Sequence, residues 1–193
     1  QQIIDTYSPM IAINTWEKVK IAELFEIVSD LIDPQNEKGK VNYIGLENIE
    51  SNSGKIIGEI ECDIQSIKST KRKFKKGDIL FGKLRPALNK VAYATMDGIC
   101  STDIIVLRAK SDEFLSEFYS ILMRHPEFNA IVLNGCSGGQ LPRVDIDYLM
   151  GIQTYKVSKE EQKSLLVQIQ EEQRSIASSE RMIELFQQKI MLS

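Results

Sequence analysis

Short apolar runs separated by polar turns fill the chain between residues 40 and 110. Each run is rich in β-branched or aromatic residues, and "SNSG" and "MDG" place turn-forming residues between them. The runs are "VNYIGL", "KIIGEI", "DILFG", "KVAYA" and "DIIVLRA". Upstream, "WEKVKIAELFEIV" mixes strand-like alternation with one or two helical turns. The pattern predicts an α+β fold, a compact domain built on a small irregular β-sheet or barrel and on short helices.

The apolar residues take a helical period after Ser111. Serine is a residue type that caps helices, and the apolar residues that follow Ser111 fall on one helical face. They are Phe114, Leu115, Phe118, Ile121 and Leu122. We expect Pro126 to begin a second short helix that runs through Val132. Beyond it, "NGCSGGQLPR" predicts a glycine-rich loop, and "VDIDYLMGIQTYKV" predicts a turn of helix followed by a strand.

The C-terminal segment predicts one long helix. Ser158 and Glu161 have the spacing of a capping box, and no Gly or Pro follows them. Steps of four and three residues from Leu165 trace a heptad seam that is mostly apolar. Its apolar positions are Leu165, Ile169, Ile176, Ile183, Phe186 and Ile190. A helix of roughly 50 Å, at about 1.5 Å per residue, is too long to bury this seam on a small domain.

We therefore expect a partner helix along this coiled-coil seam, supplied by the same polypeptide, a second copy or another subunit. The alternative is a long helix that lies on its own domain. The predicted organisation is an N-terminal connector over residues 1–15, a globular domain over residues 16–157 and a coiled-coil helix over residues 158–193.

Bulk composition indicates a globular protein of the cytoplasm. The chain has 42% apolar and 26% charged residues, and no run approaches the ~20 apolar residues of a membrane span. Its N-terminus has no basic start and does not resemble a signal peptide. Cys62, Cys100 and Cys136 lie far apart, which favours neither a disulfide framework nor a zinc site, so no metal is predicted.

Positive charge is concentrated in one segment of a chain with net charge -3. Nine basic residues and one acidic residue between Lys68 and Lys90 give that segment +8, so the other residues carry -11. A local concentration of positive charge attracts phosphates even when the net charge is negative. The segment is therefore either a polyanion-binding edge or a solvated lysine-rich loop.

One stretch of this segment, "GDILFGKL" at residues 77–84, resembles a phosphate-binding loop. The loop motif requires Ser or Thr at its last place to bind Mg²⁺, and this chain has Leu84 there. The intervening Ile-Leu-Phe is also too bulky for a loop whose amides wrap phosphates. We interpret the stretch as a turn at Gly77 followed by a strand, with Lys83 and Arg85 just after the strand.

No other stretch predicts an active site or a cofactor. His125 stands before Pro126 at an expected helix junction and has no apparent base partner. The cysteine of "GCSGG" has no histidine placed by sequence to activate it. A small metal-dependent nuclease remains an alternative, with its carboxylates and lysine in a strand-like region. That set would be Glu59, Glu61, Asp63 and Lys68.

Several motifs in a fixed order resemble the target recognition domain of a type I restriction-modification specificity subunit. They are "KKGDILFGKLRP", "ATMDGICSTDIIVL", "NGCSGGQLPRVDIDYLMGIQTYKVSKEEQ" and the heptad helix. The opening "QQIIDTYSPMIAINTWEKVKI" is similar to the junction at which an N6-adenine DNA methyltransferase runs into a fused C-terminal recognition domain. Two departures are "TYKVSKEEQ" in place of the usual proline-rich turn, and room for one recognition domain where a full subunit has two.

The resemblance implies a non-catalytic module that recognises double-stranded DNA. Methyl transfer, cleavage and S-adenosylmethionine binding would belong to methyltransferase and restriction subunits or to an N-terminal region, and the helix would be a spacer that meets a second copy or a second recognition domain. The basic segment would meet phosphates, and loop side chains would reach base edges. The expected DNA-binding residues are Lys71, Arg72, Lys73, Lys75, Lys76, Lys83, Arg85, Asn89, Lys90, Gln140 and Arg143. The competing hypothesis is a protein-interaction module that acts through its coiled-coil helix without reading DNA.

Overall fold

The computed structural model describes the backbone of residues 16–191 and the side chains through residue 188. The predicted connector over residues 1–15 lies outside the described residues, as does the side chain of Ile190. The strands are β1 (Glu17–Lys20), β2 (Phe25–Ile27), β3 (Leu31–Ile32), β4 (Lys40–Ile44), β5 (Glu61–Asp63), β6 (Lys71–Phe74), β7 (Ile79–Gly82), β8 (Val91–Tyr93), β9 (Gly98–Cys100), β10 (Ile104–Ala109), β11 (Cys136–Ser137), β12 (Arg143–Val144) and β13 (Gln153–Lys156). The helices are α1 (Ile21–Leu24), α2 (Ser116–Arg124), α3 (Pro126–Asn134), α4 (Ile146–Gly151) and α5 (Lys159–Met191).

An antiparallel four-stranded sheet, in the order β2-β10-β7-β8, divides the interior into two cores. Alternate side chains of a strand point to opposite faces. In β7, Ile79 and Phe81 enter one core, and Leu80 enters the other. In β10, Ile105 and Ile104 divide in the same way. Burial on both faces explains why the sequence of these strands is a continuous apolar run.

The first core lies between this central sheet and the helices. Its centre is Tyr119 of α2, whose ring lies 5.3 Å from the ring of Phe25 and 5.3 Å from the ring of Phe118, in edge-on contacts. The Tyr119 hydroxyl donates to the carbonyl oxygen of Tyr155 at 3.0 Å. Burial raises the pKa of Tyr119 to about 12. The hydroxyl therefore remains a donor at neutral pH and ties α2 to β13.

The second core lies between the central sheet and a five-stranded mixed sheet in the order β3-β6-β9-β4-β5. Strands β4 and β9 are parallel, and the other pairs of this sheet are antiparallel. Phe74 and Ile44 of this sheet pack with Leu80 and Val106 of the central one. Both sheets have edge strands in the described chain. The α+β prediction is therefore confirmed with open sheets, and the barrel alternative is wrong.

The long helix begins at the capping box that the sequence predicts. The Ser158 hydroxyl donates to Glu161 Oε2 at 2.6 Å, and the Glu161 amide donates to Ser158 Oγ at 3.3 Å. One turn on, Gln162 is fully buried. Its Nε2 donates to the carbonyl oxygens of Val157 and Glu113 at 2.8 and 2.9 Å, and its Oε1 accepts from the Leu115 amide at 2.8 Å. Because every bond of this amide crosses to a neighbouring segment or turn, Gln162 fixes the helix start on the domain.

Two local predictions are wrong. Helix α2 begins at Ser116, and Ser111 instead accepts from the Glu113 amide at 3.3 Å in the preceding turn. The stretch over residues 55–60 does not form a named strand, and only Ile56 bridges to Ile49. In both places short-range hydrogen bonds compete with the regular element that the pattern favours. Within residues 16–191, no helix is long and apolar enough to span a membrane.

The Tyr119 hydroxyl gives a stability prediction. Tyr119→Phe removes the donor to the part-buried carbonyl of Tyr155, so we expect the free energy of unfolding to fall by about 1 kcal/mol. Tyr93→Phe is the matched control, since the Tyr93 hydroxyl makes no hydrogen bond within the described residues. Denaturant unfolding measures both variants, and equal stabilities would contradict the assignment.

Candidate nucleic-acid interface

The end of β7 and the glycine-rich loop meet at one surface. The Val144 amide donates to the Lys83 carbonyl at 3.0 Å, and the Arg85 amide donates to the Pro142 carbonyl at 2.8 Å. Leu84 and Arg143 form an antiparallel bridge between these bonds. We call residues 83–85 and 138–143 together the loop surface. It brings together four of the predicted DNA-binding residues, in two pairs that lie more than 50 positions apart in sequence: Lys83 with Arg85, and Gln140 with Arg143.

Side chains on the loop surface extend into solvent. Arg85, Gln140 and Arg143 are exposed, and Lys83 is half-buried. Main-chain bonds from residues 142 and 144 to residues 85 and 83 hold the C-terminal end of the loop. Gly138 has φ +95°, a left-handed turn conformation that other residues adopt only with strain. The surface thus presents two guanidinium groups, an amide and an amine.

Backbone strain marks the segment after β7. Arg85 and Asn89 have φ values of 50° and 49°, and they flank a short 3-10 turn over Pro86–Leu88. A left-handed conformation is costly for residues with a Cβ and is found where surrounding contacts enforce it. Here the Arg85 amide is held by Pro142, and the Leu88 amide donates to the Arg85 carbonyl at 2.9 Å. The Arg85 side chain is exposed beside the loop.

Asn89, one of the predicted DNA-binding residues, is buried and bonded within the protein. The residue is 6% exposed. Its Nδ2 donates to the Arg124 carbonyl at 2.8 Å and to Asn52 Oδ1 at 3.2 Å. The side chain therefore ties the strained turn to α2 and to the turn at residue 52.

Three of the predicted DNA-binding cations also make hydrogen bonds within the protein. Lys71 is 8% exposed, donates to the Ser69 carbonyl and hydroxyl, and lies 5.8 Å from the centre of the Tyr43 ring. Arg72 Nη1 donates to the Val28 carbonyl at 2.9 Å, and Lys90 Nζ donates to the Leu46 carbonyl at 2.6 Å. These side chains are committed to internal hydrogen bonds.

Lys73, Lys75 and Lys76 are exposed and lie at the opposite end of β7 from Arg85. The four residues of β7 separate the two groups of cations by about 13 Å, at about 3.3 Å per residue. The fold therefore divides the basic segment into two clusters with a buried strand between them. The basic segment that the sequence analysis treated as one edge is thus interrupted by β7.

Two acidic residues to which the sequence analysis gave no structural role bond to members of these clusters. Asp78, 1% exposed, accepts from Arg108 Nε and Nη2 at 2.8 Å each and from the Lys75 amide at 2.8 Å. The hydrogen bond to Asp78 raises the pKa of Arg108. Asp103 accepts from Arg143 Nε at 3.1 Å. A lone acid in a basic run was the sequence signal for Asp78, whereas nothing local to Asp103 indicates its partner.

The described residues do not form a catalytic site of the kind that the enzymatic alternatives require. Glu61 pairs with Lys40 at 2.7 Å, and Asp63 accepts from the Gln65 amide at 2.9 Å. No group of His, Cys, Asp and Glu that could hold a metal ion occurs among residues 16–191. Burial raises the pKa of the Cys136 thiol, which keeps it protonated. His125 accepts from the Glu127 amide at 3.3 Å and caps α3.

The heptad seam of α5 is divided between its own domain and solvent. Leu165 packs against the first core, and Ile169 is 7% exposed. Ile176 lines a groove of about 610 Å³ between α5, α2 and the turn at residues 51–55. Farther along, Ile183 and Phe186 are 57% and 61% exposed. The first half of the seam thus follows the own-domain alternative, and the second half is an uncovered apolar stripe.

A model of the type I restriction modification DNA specificity domain matches residues 13–177 of the chain. The chain belongs to this family. Its solved relatives include a chain from a structure of the complex assembly and conformational transition of the type I R-M system. That relative has 25% sequence identity and a TM-score of 0.72, over 86% of this chain and 44% of the other.

Two further relatives of this specificity-domain chain extend the comparison. The HsdS subunit from Thermoanaerobacter tengcongensis has the same fold, with a TM-score of 0.73 and 24% identity over 92% of this chain and 47% of that one. The type I restriction enzyme EcoDI specificity subunit of Escherichia coli is 32% identical over 99 residues, which are 51% of this chain and 22% of that protein. The chain therefore spans between about a fifth and about half the length of these relatives.

The position of Asn89 yields a prediction that separates packing from DNA contact. Asn89→Ala loses both side-chain bonds and keeps the strained φ, so we expect the free energy of unfolding to fall by about 3 kcal/mol. Asn89→Gly also loses the bonds but tolerates the conformation, so it should be about 1 kcal/mol more stable than the Ala variant. Thermal and denaturant unfolding measure the difference. Unchanged stability together with weakened DNA binding would instead support the original DNA-contact prediction.

Proposed function

We propose that this chain is a non-catalytic module that recognises a specific double-stranded DNA sequence and directs an N6-adenine methyltransferase and its associated endonuclease to that site. The observation that carries the proposal is the loop surface, where main-chain bonds between residues 142 and 85 and between residues 144 and 83 bring exposed Arg85, Gln140 and Arg143 together. Membership in the specificity-domain family supports the same function. Residues 16–157 act as the recognition domain and residues 158–193 as the spacer helix.

The side chains of the loop surface have the chemistry needed to read bases. Arginine pairs bidentately with O6 and N7 of guanine, and glutamine pairs with N6 and N7 of adenine, in the major groove. The exposed amines of Lys73, Lys75 and Lys76 suit phosphates, which position a protein on the duplex without reading its sequence. We assign base reading to the loop surface and phosphate contact to this lysine cluster.

S-adenosylmethionine and methyl transfer belong, in this proposal, to the methyltransferase subunit. This chain determines where on the DNA the partner acts. The loop surface binds the recognised site, and α5 sets the distance between that site and the partner. The relative described with complex assembly of a type I R-M system supports partners of this kind. The exposed distal half of α5 is the surface that we assign to the partner helix.

Selection from random duplexes tests base reading. We expect the wild-type chain to enrich one half-site motif at moderate salt. Arg85→Ala and Arg143→Ala should each relax the motif at one position by about 1–3 kcal/mol, because each loses a bidentate contact. Sequencing of the retained duplexes, with affinities measured over a salt series, gives both quantities.

Arg174→Ala is the matched control, since Arg174 is an exposed arginine on α5, far along the chain from the loop surface. It should leave the motif unchanged. Binding that shows no sequence preference, or that is absent at low salt where cations attract phosphates most strongly, would contradict the proposal.

A protein-interaction module is the second candidate function, and the apolar stripe on α5 favours it. Ile183 and Phe186 are exposed on the distal half of α5, beside exposed Met182 and Leu185. Exposed apolar positions at heptad spacing are typical of helices with a partner. The two functions are compatible, because one uses the loop surface and the other uses the distal helix.

The seam gives its own prediction. Joint substitution Ile183→Glu and Phe186→Glu should abolish association of the chain with its helix partner, since charges replace the apolar contacts. Sedimentation velocity over a concentration series, with and without the methyltransferase subunit, measures the association. Val167→Glu is the control, because Val167 is equally exposed but lies off the seam. Loss of association in the control alone, or in neither protein, would contradict the seam assignment.

A further inference from the structure

Asp103 is bonded to both halves of the loop surface. Its carbonyl oxygen accepts from the Lys83 amide at 2.9 Å, directly after β7. Its carboxylate accepts from Arg143 Nε at 3.1 Å, at the end of the glycine-rich loop. Its own amide donates to Ser101 Oγ at 3.2 Å, which fixes the turn just before β10. Asp103 thus links the end of β7 to the glycine-rich loop, and both of these face solvent.

The geometry of the pair leaves the outer part of the Arg143 guanidinium available. Only Nε is bonded to Asp103, and Nη1 makes one long contact of 3.4 Å with the Leu141 carbonyl. Nη2 makes no hydrogen bond within the described residues. A guanidinium held through Nε keeps its terminal nitrogens directed outward in a fixed plane, which suits bidentate pairing.

Because the Asp103–Arg143 pair is partly exposed, its main effect is to orient the Arg143 guanidinium. The side chains of Arg143 and Asp103 are 46% and 28% exposed, and ion pairs in such positions contribute little to folding. A carboxylate beside a DNA surface also repels phosphates. Neither stability nor general DNA affinity therefore accounts for an acid at this position.

We propose that Asp103 is a positioning residue for sequence readout: it orients Arg143 toward a guanine edge and does not itself contact DNA. The inference rests on the proposed DNA-recognition function and deepens it by naming what sets the base preference of Arg143. Asp103 raises the ratio of specific to non-specific binding because an ordered guanidinium loses less freedom when it pairs.

The test compares Asp103→Ala, Asp103→Asn and Arg143→Ala in the full chain. Affinities are measured for the selected duplex, for duplexes with one base pair changed and for an unrelated duplex. Asp103→Ala should lose about tenfold of the preference at the position that Arg143 reads, with non-specific binding equal to or tighter than wild type. Asp103→Asn keeps an acceptor for Nε, so it should lose less. Asp30→Ala, which removes an exposed acid elsewhere, should keep the preference.

A double-substitution cycle separates positioning from a structural role. Arg143→Ala should lose the same preference, and adding Asp103→Ala to it should change nothing further, because Asp103 acts only through Arg143. Additive losses, or an equal weakening for every duplex, would overturn the inference. A wild-type chain without any sequence preference would overturn the proposed function as well. Preference lost in Arg143→Ala but kept in Asp103→Ala and Asp103→Asn overturns the role of Asp103 alone.

Discussion

The pairing of β7 with β10 is the constraint on which the rest of the structure depends. These strands are buried on both faces and separate two cores, so their register is fixed by the alternation of Ile79, Leu80 and Phe81. A shift of one residue would exchange the contents of the two cores. Because the register is fixed, the residues just beyond the strand ends, Lys83 and Asp103, are also fixed relative to each other.

The loop surface is built outward from that fixed pair. Main-chain bonds attach the end of the glycine-rich loop to residues 83 and 85, and the bond between Arg143 and Asp103 adds a side-chain link. Rigid support of this kind allows exposed polar side chains to make directional contacts at low entropic cost. The strained turn that begins at Arg85 is also supported at both ends. Buried Asn89 holds its C-terminal end, and the glycine-rich loop holds its N-terminal end. At its other end, β7 starts from Asp78, whose buried carboxylate organises the lysine-bearing turn.

Sequence pattern predicted the parts of the fold that depend on neighbouring residues. The strand at residues 79–82, the α4–β13 unit and the capping box at Ser158 each follow from local periodicity or turn chemistry. What it missed depends on pairing between distant segments. Asn89 is buried through contacts with residues 35 and 37 positions away, and Asp103 meets an arginine 40 positions on. The division of the basic segment has the same origin, because charge counts along the chain do not record which end of a strand a lysine occupies.

Hydrogen exchange in the presence of DNA tests the central claim most directly. The account predicts that a selected duplex slows amide exchange at residues 83–88 and 138–143, with weaker protection around residues 73–76. Exchange in the acidic region at residues 59–63 should not change. The account is contradicted if the loop surface exchanges at the same rate with and without DNA while protection appears on another face of the domain.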